Sequence, residues 1–238
     1  MYAHAALTAV AKIDLGGLAI CHGLEQRARS HVAAIATIQQ AHEGATVFCE
    51  GDRADNVYEV ASGMLRLYKA LPDGRRQITG FLSAGGLLGL SHNDLYLYTA
   101  EAITEVNLRR YPRARFERLV DEVPGLARRL LTATSDELRA AQDQMLLLGR
   151  KTAMEKIASF LLMMDDLHRD GGDADIVRLP MRRNDVADYL GLTIETVSRT
   201  LAKLKRDRTI ALPTHDSIDL CDRDRLEELA AGDGGMDS

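Results

Sequence analysis

Residues 184–207 read NDVADYLGLTIETVSRTLAKLKRD, two short amphipathic patterns on either side of a single glycine. In the first half Val186, Ala187 and Leu190 share one helical face, and Gly191 follows where a left-handed residue is cheapest. Thr193 can then cap a second helix by offering its side-chain oxygen to an amide of the first turn. Along that helix Ile194, Val197, Leu201 and Leu204 form one apolar stripe, while Glu195, Ser198, Arg199 and Ala202 form the other. A small residue at Ala187 permits close helix crossing, and the glycine four positions on permits a tight turn. With the branched, core-facing Val197, this arrangement predicts a helix-turn-helix.

Charge concentrates on the same stretch. The chain carries a formal net charge of −5, yet residues 181–208 hold seven basic side chains against four acidic ones. A protein coated in positive potential is excluded, whereas a confined basic patch that meets a phosphate backbone is supported. Arg199 suits a guanine through two parallel donors, Glu195 can accept from a cytosine amino group, and Ser198 is short enough to lie against a neighbouring base. Arg182, Arg183, Thr193, Thr196, Lys203, Lys205 and Arg206 are the candidates for phosphate contact. The duller readings are a Glu195 favoured only by the helix dipole, an i, i+4 pair of Glu195 with Arg199, and solvated lysines. Their position opposite an apolar stripe favours double-stranded DNA as the partner.

Upstream of this unit the period changes twice. From about Ala45 to Arg110 the chain runs in short apolar segments, TVFCE, VYEVASG, LRLYKAL, QITGFLS and VNLRRY, punctuated by glycine, which predicts a small all-β domain. Asp73-Gly74 between two such segments predicts a hairpin with a tight primed turn. From Pro112 the composition becomes helical, and Ala127, Leu131, Thr134, Leu138, Ala141, Met145 and Leu148 recur at alternating spacings of four and three. A helix over residues 126–148 would run roughly 34 Å, long for one that only covers a small sheet. The seam Leu131, Thr134, Leu138, Ala141, Met145 and Leu148 therefore predicts a homodimer interface, with packing on the chain's own β domain as the alternative.

The architecture expected is α+β. Residues 1–39 form a variable or poorly ordered arm, 40–112 a β-roll, 113–149 a helical linker with a dimerisation helix, and 150–238 a winged helix-turn-helix. With 238 residues, 46% of them hydrophobic, the chain can bury two cores. Cys21, Cys49 and Cys221 lie far apart without CxxC spacing, so neither a disulfide framework nor a zinc site is signalled, and a reducing cytoplasm fits. No membrane-length apolar stretch or secretory n-region is present, so no membrane role is expected.

A β-rich N-terminal domain, a long helix and a C-terminal helix-turn-helix, in this order, resemble the CRP/FNR superfamily of bacterial transcription regulators from about residue 40 to about residue 230. LYKALPDGRRQITGF is similar to the hairpin of that family's β-roll, and GLLGL stands where its phosphate cassette lies. LLLGRKTAMEKIASFLL and ADYLGLTIETVSRTLAKL are similar to the FixK-like branch. The resemblance implies that Glu195, Ser198 and Arg199 match the E-x-x-S-R pattern associated with inverted repeats of TTGAT half-sites. Ile194 before the Glu is apolar, as in the FNR-type pattern, where the cyclic-AMP type has Arg. It further implies a cytoplasmic homodimeric activator that contacts RNA polymerase in microoxic or nitrogen-metabolism gene control.

The departures from the pattern concern the sensor. Three cysteines cannot supply the four thiolates of an FNR-type iron–sulfur cluster. In GGLLGLSHNDLYLYTAEA the position of the family's ribose-binding Glu holds Leu88, and no Arg for a cyclic phosphate precedes Glu101. A lone His92 reads as structural or exposed rather than as a haem ligand. No cofactor or metal is expected, and FixK-like proteins, whose activity follows their abundance, fit a roll without an effector. An effector-dependent repressor of the same family is the alternative. A cupin-type enzyme lacks its convergent His and Glu ligands, and no nucleophile–base pair stands in the β zone, so the chain is read as no enzyme. A cyclic-nucleotide module serving a partner enzyme would have no use for the DNA-reading helix.

Overall fold

The computed structural model describes residues 20, 24–90, 94–168, 176–214 and 216–232. The chain divides into two compact units, Met1–Arg139 and Ala140–Ser238.

In the first unit a short helix α1 (Gln26–Ile35) precedes eight strands: β1 (Thr37–Ala41), β2 (Thr46–Phe48), β3 (Asn56–Ser62), β4 (Leu65–Ala70), β5 (Arg76–Leu82), β6 (Leu87–Leu88), β7 (Thr99–Ala102) and β8 (Val106–Pro112). They form two four-stranded sheets, ordered β1-β8-β3-β6 and β2-β7-β4-β5, with antiparallel pairing throughout. Tyr58, Val60, Val106 and Leu108 from the first sheet meet Phe48, Leu65, Leu67 and Ala100 from the second in one core. The intervening residues of the first sheet face the other way. There Val57 and Tyr111 pack under Val32 of α1, Phe116 and Leu119 of α2 (Arg113–Glu122) and Leu126 of α3 (Pro124–Arg150). Because its side chains alternate and both faces are covered, β3 is buried at four consecutive positions rather than every other one.

The arm expected over residues 1–39 is therefore corrected. Its last part is α1 and most of β1, and β1 pairs with β8 from Thr37↔Arg110 to Ala41↔Val106. The strand is hard to see because TIQQA buries only its last residue. The hairpin at Asp73-Gly74 stands, with a longer turn than expected. The Leu71 amide donates to the Arg75 carbonyl at 2.7 Å and the Gly74 amide to the Leu71 carbonyl at 3.0 Å, closing a three-residue loop of Pro72, Asp73 and Gly74. Only Gly74 takes the left-handed conformation, at φ 86°, the geometry of a three-residue loop rather than a two-residue primed turn.

Helix α3 spans 27 residues, about 40 Å at the usual rise. The division between the two units falls inside it, between Arg139 and Ala140, and not at residue 150. Along the expected seam Leu131, Leu138 and Met145 are 69%, 61% and 71% exposed. Ala127, Thr134 and Ala141 are also exposed, and Leu148 is half-buried. Thr134, the polar member, donates its hydroxyl to the Leu130 carbonyl at 2.8 Å.

The second unit continues with α4 (Ala153–His168), β9 (Ile176–Arg178), α5 (Arg183–Leu190), α6 (Ile194–Arg206), β10 (Ser217–Asp219) and α7 (Arg223–Ala231). Ile157, Phe160, Leu161 and Met164 of α4 join Val186, Leu190, Val197 and Leu201 among its buried side chains. The short strand expected at IVRLP is β9, and it pairs antiparallel with β10 from Ser217↔Arg178 to Asp219↔Ile176.

Candidate nucleic-acid interface

Helix α5 begins with a local device: the Asp185 carboxylate accepts from the Arg182 amide at 3.0 Å while Asp185 is itself buried, tying down one of the helix's orphan donors. The helix ends at Gly191, φ 60°, where the Gly191 and Leu192 amides both turn back to the Ala187 carbonyl. A β-carbon on Gly191 would stand 3.4 Å from Leu148 Cδ2. The small Ala187, 3% exposed, lies in the core as expected, together with Tyr189, whose ring meets that of Phe160 at a tilt of 51° with centroids 5.8 Å apart. Burial pushes the Tyr189 phenol up to about 12.

Thr193 caps α6, accepting from the Thr196 amide at 3.2 Å. Val197, Thr200, Leu201 and Leu204 are its buried residues. Ile194 is not among them. It is 41% exposed, because it stands at the N-terminal end of the helix, a turn before the first buried residue, Val197. At about 100° per residue, Glu195, Arg199, Ala202 and Arg206 run down the centre of the face opposite the core, and all four are exposed. Ser198 and Lys205 flank one edge of that face and Lys203 the other, exposed as well.

Each side chain of this face is held or free in a way that matters for readout. The Glu195 carboxyl lies below its ordinary value because its own backbone amide and the Thr193 hydroxyl donate to it. It is thus an exposed, ionised acceptor in the first turn of the helix. Arg199 makes no ion pair with it among the described residues, so the i, i+4 pair is not what occupies either group. Of the expected phosphate contacts, Arg182, Thr193, Lys203, Lys205 and Arg206 are exposed, and Arg183 and Thr196 are half-buried. Desolvation lowers the proton affinity of the Arg183 guanidinium, and the Thr196 hydroxyl lies 3.1 Å from that of Thr193, so these two are tied more closely to the fold. Ile194 is the residue that the stripe pattern misassigned. Its signal was its position: Ile194 lies on the side of the stripe, but a turn before the first buried residue, Val197.

The interior of the roll shows how far a nucleotide is accommodated. Leu88 is 1% exposed and packs in the core with Tyr58 and Tyr96. Tyr58 and Tyr96 stack on Phe48, with Phe48 and Tyr96 centroids 3.7 Å apart, and Tyr98 meets the same ring at a tilt. The half-buried cation Arg66 is already paired with Glu101. A cyclic nucleotide needs a carboxylate for its ribose and a cation for its phosphate, and these residues fit neither need. Cys21 and His92 lie outside the described residues, and no helix among the described residues is long and apolar enough to cross a membrane.

A two-sheet roll, a long connecting helix and a helix-turn-helix with an outward polar face define a DNA-binding regulator. Residues 155–229 match the Crp-like helix-turn-helix domain and residues 38–123 the cyclic nucleotide-binding domain. The chain is 48% identical over 189 residues to the nitrogen fixation regulation protein FixK of Bradyrhizobium diazoefficiens, covering 79% of each chain. It is 37% identical to the transcriptional activator protein FnrL of Cereibacter sphaeroides, over 92% of this chain and 91% of that one. Among solved structures, FixK2 from Bradyrhizobium japonicum superposes with a TM-score of 0.77 at 41% identity, over 82% of this chain and 97% of that one. The chain belongs to the CRP/FNR family of transcription regulators.

Proposed function

We propose that two copies of the chain pair along the α3 seam, Leu131, Thr134, Leu138, Ala141, Met145 and Leu148, and place α6 of each copy in successive major grooves of an inverted repeat. The observation that carries this reading is the division of α6: one face is core, and the other displays Glu195, Ser198 and Arg199 to solvent. Arg199 reads a guanine, Glu195 a cytosine amino group and Ser198 an adjoining base, which suits TTGAT-type half-sites. The exposed Ile194 offers an apolar surface to a thymine methyl. Lys203 and Lys205 flank the reading face on its two sides, where a groove presents its phosphates. Arg182 and Arg206, with the Thr193 hydroxyl, extend those contacts. Arg183 and Thr196 are retained at the margin of this set.

The names of two relatives, a transcriptional activator protein and a nitrogen fixation regulation protein, support activation of nitrogen-metabolism genes; we extend this to a cytoplasmic protein that contacts RNA polymerase and to microoxic control. Arg199→Ala tests the reading. Quantitative mobility shifts on duplexes that vary the half-site guanine should show wild-type discrimination of roughly 1–3 kcal/mol and its loss in the variant. Unchanged preference in the variant would place the base-reading face elsewhere.

A further inference from the structure

The turn that follows β6 is fastened in an unusual way. Gly89 sits at φ +80°, and a β-carbon there would stand 2.9 Å from the Asn56 carbonyl oxygen and 3.1 Å from Tyr96 Cε1. Its amide donates to the Tyr98 hydroxyl at 3.1 Å, and its carbonyl accepts from Arg113 Nη2 at 2.6 Å. Both polar groups of one glycine are thus taken by side chains, one from the end of the β6–β7 connection and one from the first residue of α2. The same guanidinium donates through Nε to the Ala54 carbonyl and lies 3.5 Å from Glu117 on the next turn of α2. The Arg113 amide adds a bond to the Asp55 carbonyl at 2.9 Å. Beside it, the Tyr96 hydroxyl donates to the Asn56 carbonyl at 2.9 Å and stacks its ring on Phe48.

These bonds join the cassette loop to a helix that matters downstream. Phe116 and Leu119 of α2 share their core with Val57 and Tyr111 of the sheet and Leu126 of α3, so α2 and the start of α3 are seated by one set of contacts. In a roll that holds a nucleotide, a ligand could draw the cassette loop and the neighbouring helices together. Here the residues that would hold one do not fit it, and the connection is made by the chain itself. We propose that Tyr98 and Arg113 are positioning residues that latch the turn at Gly89 to α2, holding α3 ready for pairing without a small-molecule effector. The proposal rests on the reading of α3 as the dimer seam.

Full-length protein carries the test. Tyr98→Phe keeps the ring and removes the hydroxyl. Arg113→Lys keeps a cation near Glu117, but one ammonium does not span the Ala54 and Gly89 carbonyls. Val60→Ala truncates the core elsewhere in the roll and controls for general loss of stability. Amide exchange should accelerate at least about tenfold at Gly89 in both latch variants, and along α2 in Arg113→Lys. The dimer dissociation constant from sedimentation should rise about tenfold in both, while Val60→Ala lowers the melting temperature and leaves the dimer intact. Cyclic AMP at millimolar concentration should alter none of these values in the wild type. Unchanged exchange at Gly89, a dimer as tight in the latch variants as in the wild type, or tightening by cyclic AMP would each overturn the latch. Leu138→Asp separates its failure from that of the seam: if that variant stays dimeric the seam is wrong, and the latch is then judged by the exchange at Gly89 and α2 alone.

Discussion

Arg199 and Arg109 are both guanidiniums on regular elements, and they are deployed in opposite ways. Arg199 stands exposed on α6 with no ion pair among the described residues. Arg109 lies on β8 with its side chain 8% exposed, 3.8 Å from the carboxylate of a Glu59 that is wholly buried. Tyr111 donates its hydroxyl to the same carboxylate at 2.8 Å, and the Ile20 amide adds a longer bond at 3.4 Å. The contrast extends to their neighbours. On α6 the charged side chains and Ser198 face outward, available to a partner, whereas in the roll Arg66 is paired with Glu101 and Arg113 with two carbonyls. In the roll these cations are engaged within the fold, whereas the outward face of α6 leaves its side chains open to a partner.

The largest effect should come from breaking the inward side of that contrast. Glu59→Ala leaves a buried guanidinium without its counter-charge and should cost about 3–5 kcal/mol of stability, measured by denaturant unfolding of the full chain. A cost of the size seen for surface substitutions would mean that Arg109 reaches water and that the two guanidiniums are not so different. On the outward side, Lys205→Ala should weaken all duplexes alike and reduce the slope of log affinity against log salt by roughly one unit. An effect that depended on sequence would move Lys205 from the phosphate edge to the reading face. The smallest change sharpens the boundary of α6. Arg208 closes the helix at φ 59°, the one non-glycine residue in the left-handed region among those described, and the Thr209 amide folds back to the Leu204 carbonyl at 3.0 Å. Arg208→Gly should stabilise the protein by about 0.5–1 kcal/mol, read as a rise in melting temperature. A fall would show that the side chain, and not the backbone, sets the energy of that turn.

How much of this could be read from residues alone depended on whether the signal was local. The helix-turn-helix was readable because its cap, turn glycine and core stripe lie within two dozen residues and each obeys a short-range rule. Ile194 was the exception, since the stripe pattern ignores where along the helix the core begins. The roll yielded five strands from their branched and aromatic runs, but β1, β6 and β7 were missed. TAEA of β7, with one strand-favouring residue in four, has little propensity for a strand, and β2 and β4 flank it on both edges. The absence of a nucleotide-binding Glu and Arg was visible in the sequence around Leu88. What replaced them was not, because Gly89, Tyr98 and Arg113 meet through pairings between distant segments. The buried Glu59 was equally hidden, as a charged residue in a strand pattern reads as solvent-facing until helices cover the second side of the sheet.

Methylation interference on a duplex carrying the inverted repeat tests the central claim most directly. A methyl group on N7 of the half-site guanine blocks one of the two acceptors that Arg199 is held to grip. Wild-type protein should be excluded from duplexes methylated at that guanine in either half-site, and Arg199→Ala should bind methylated and unmethylated duplexes equally. Wild-type binding that ignores the methyl group, or interference that persists in Arg199→Ala, would contradict the placement of α6 in the major groove with Arg199 on that base.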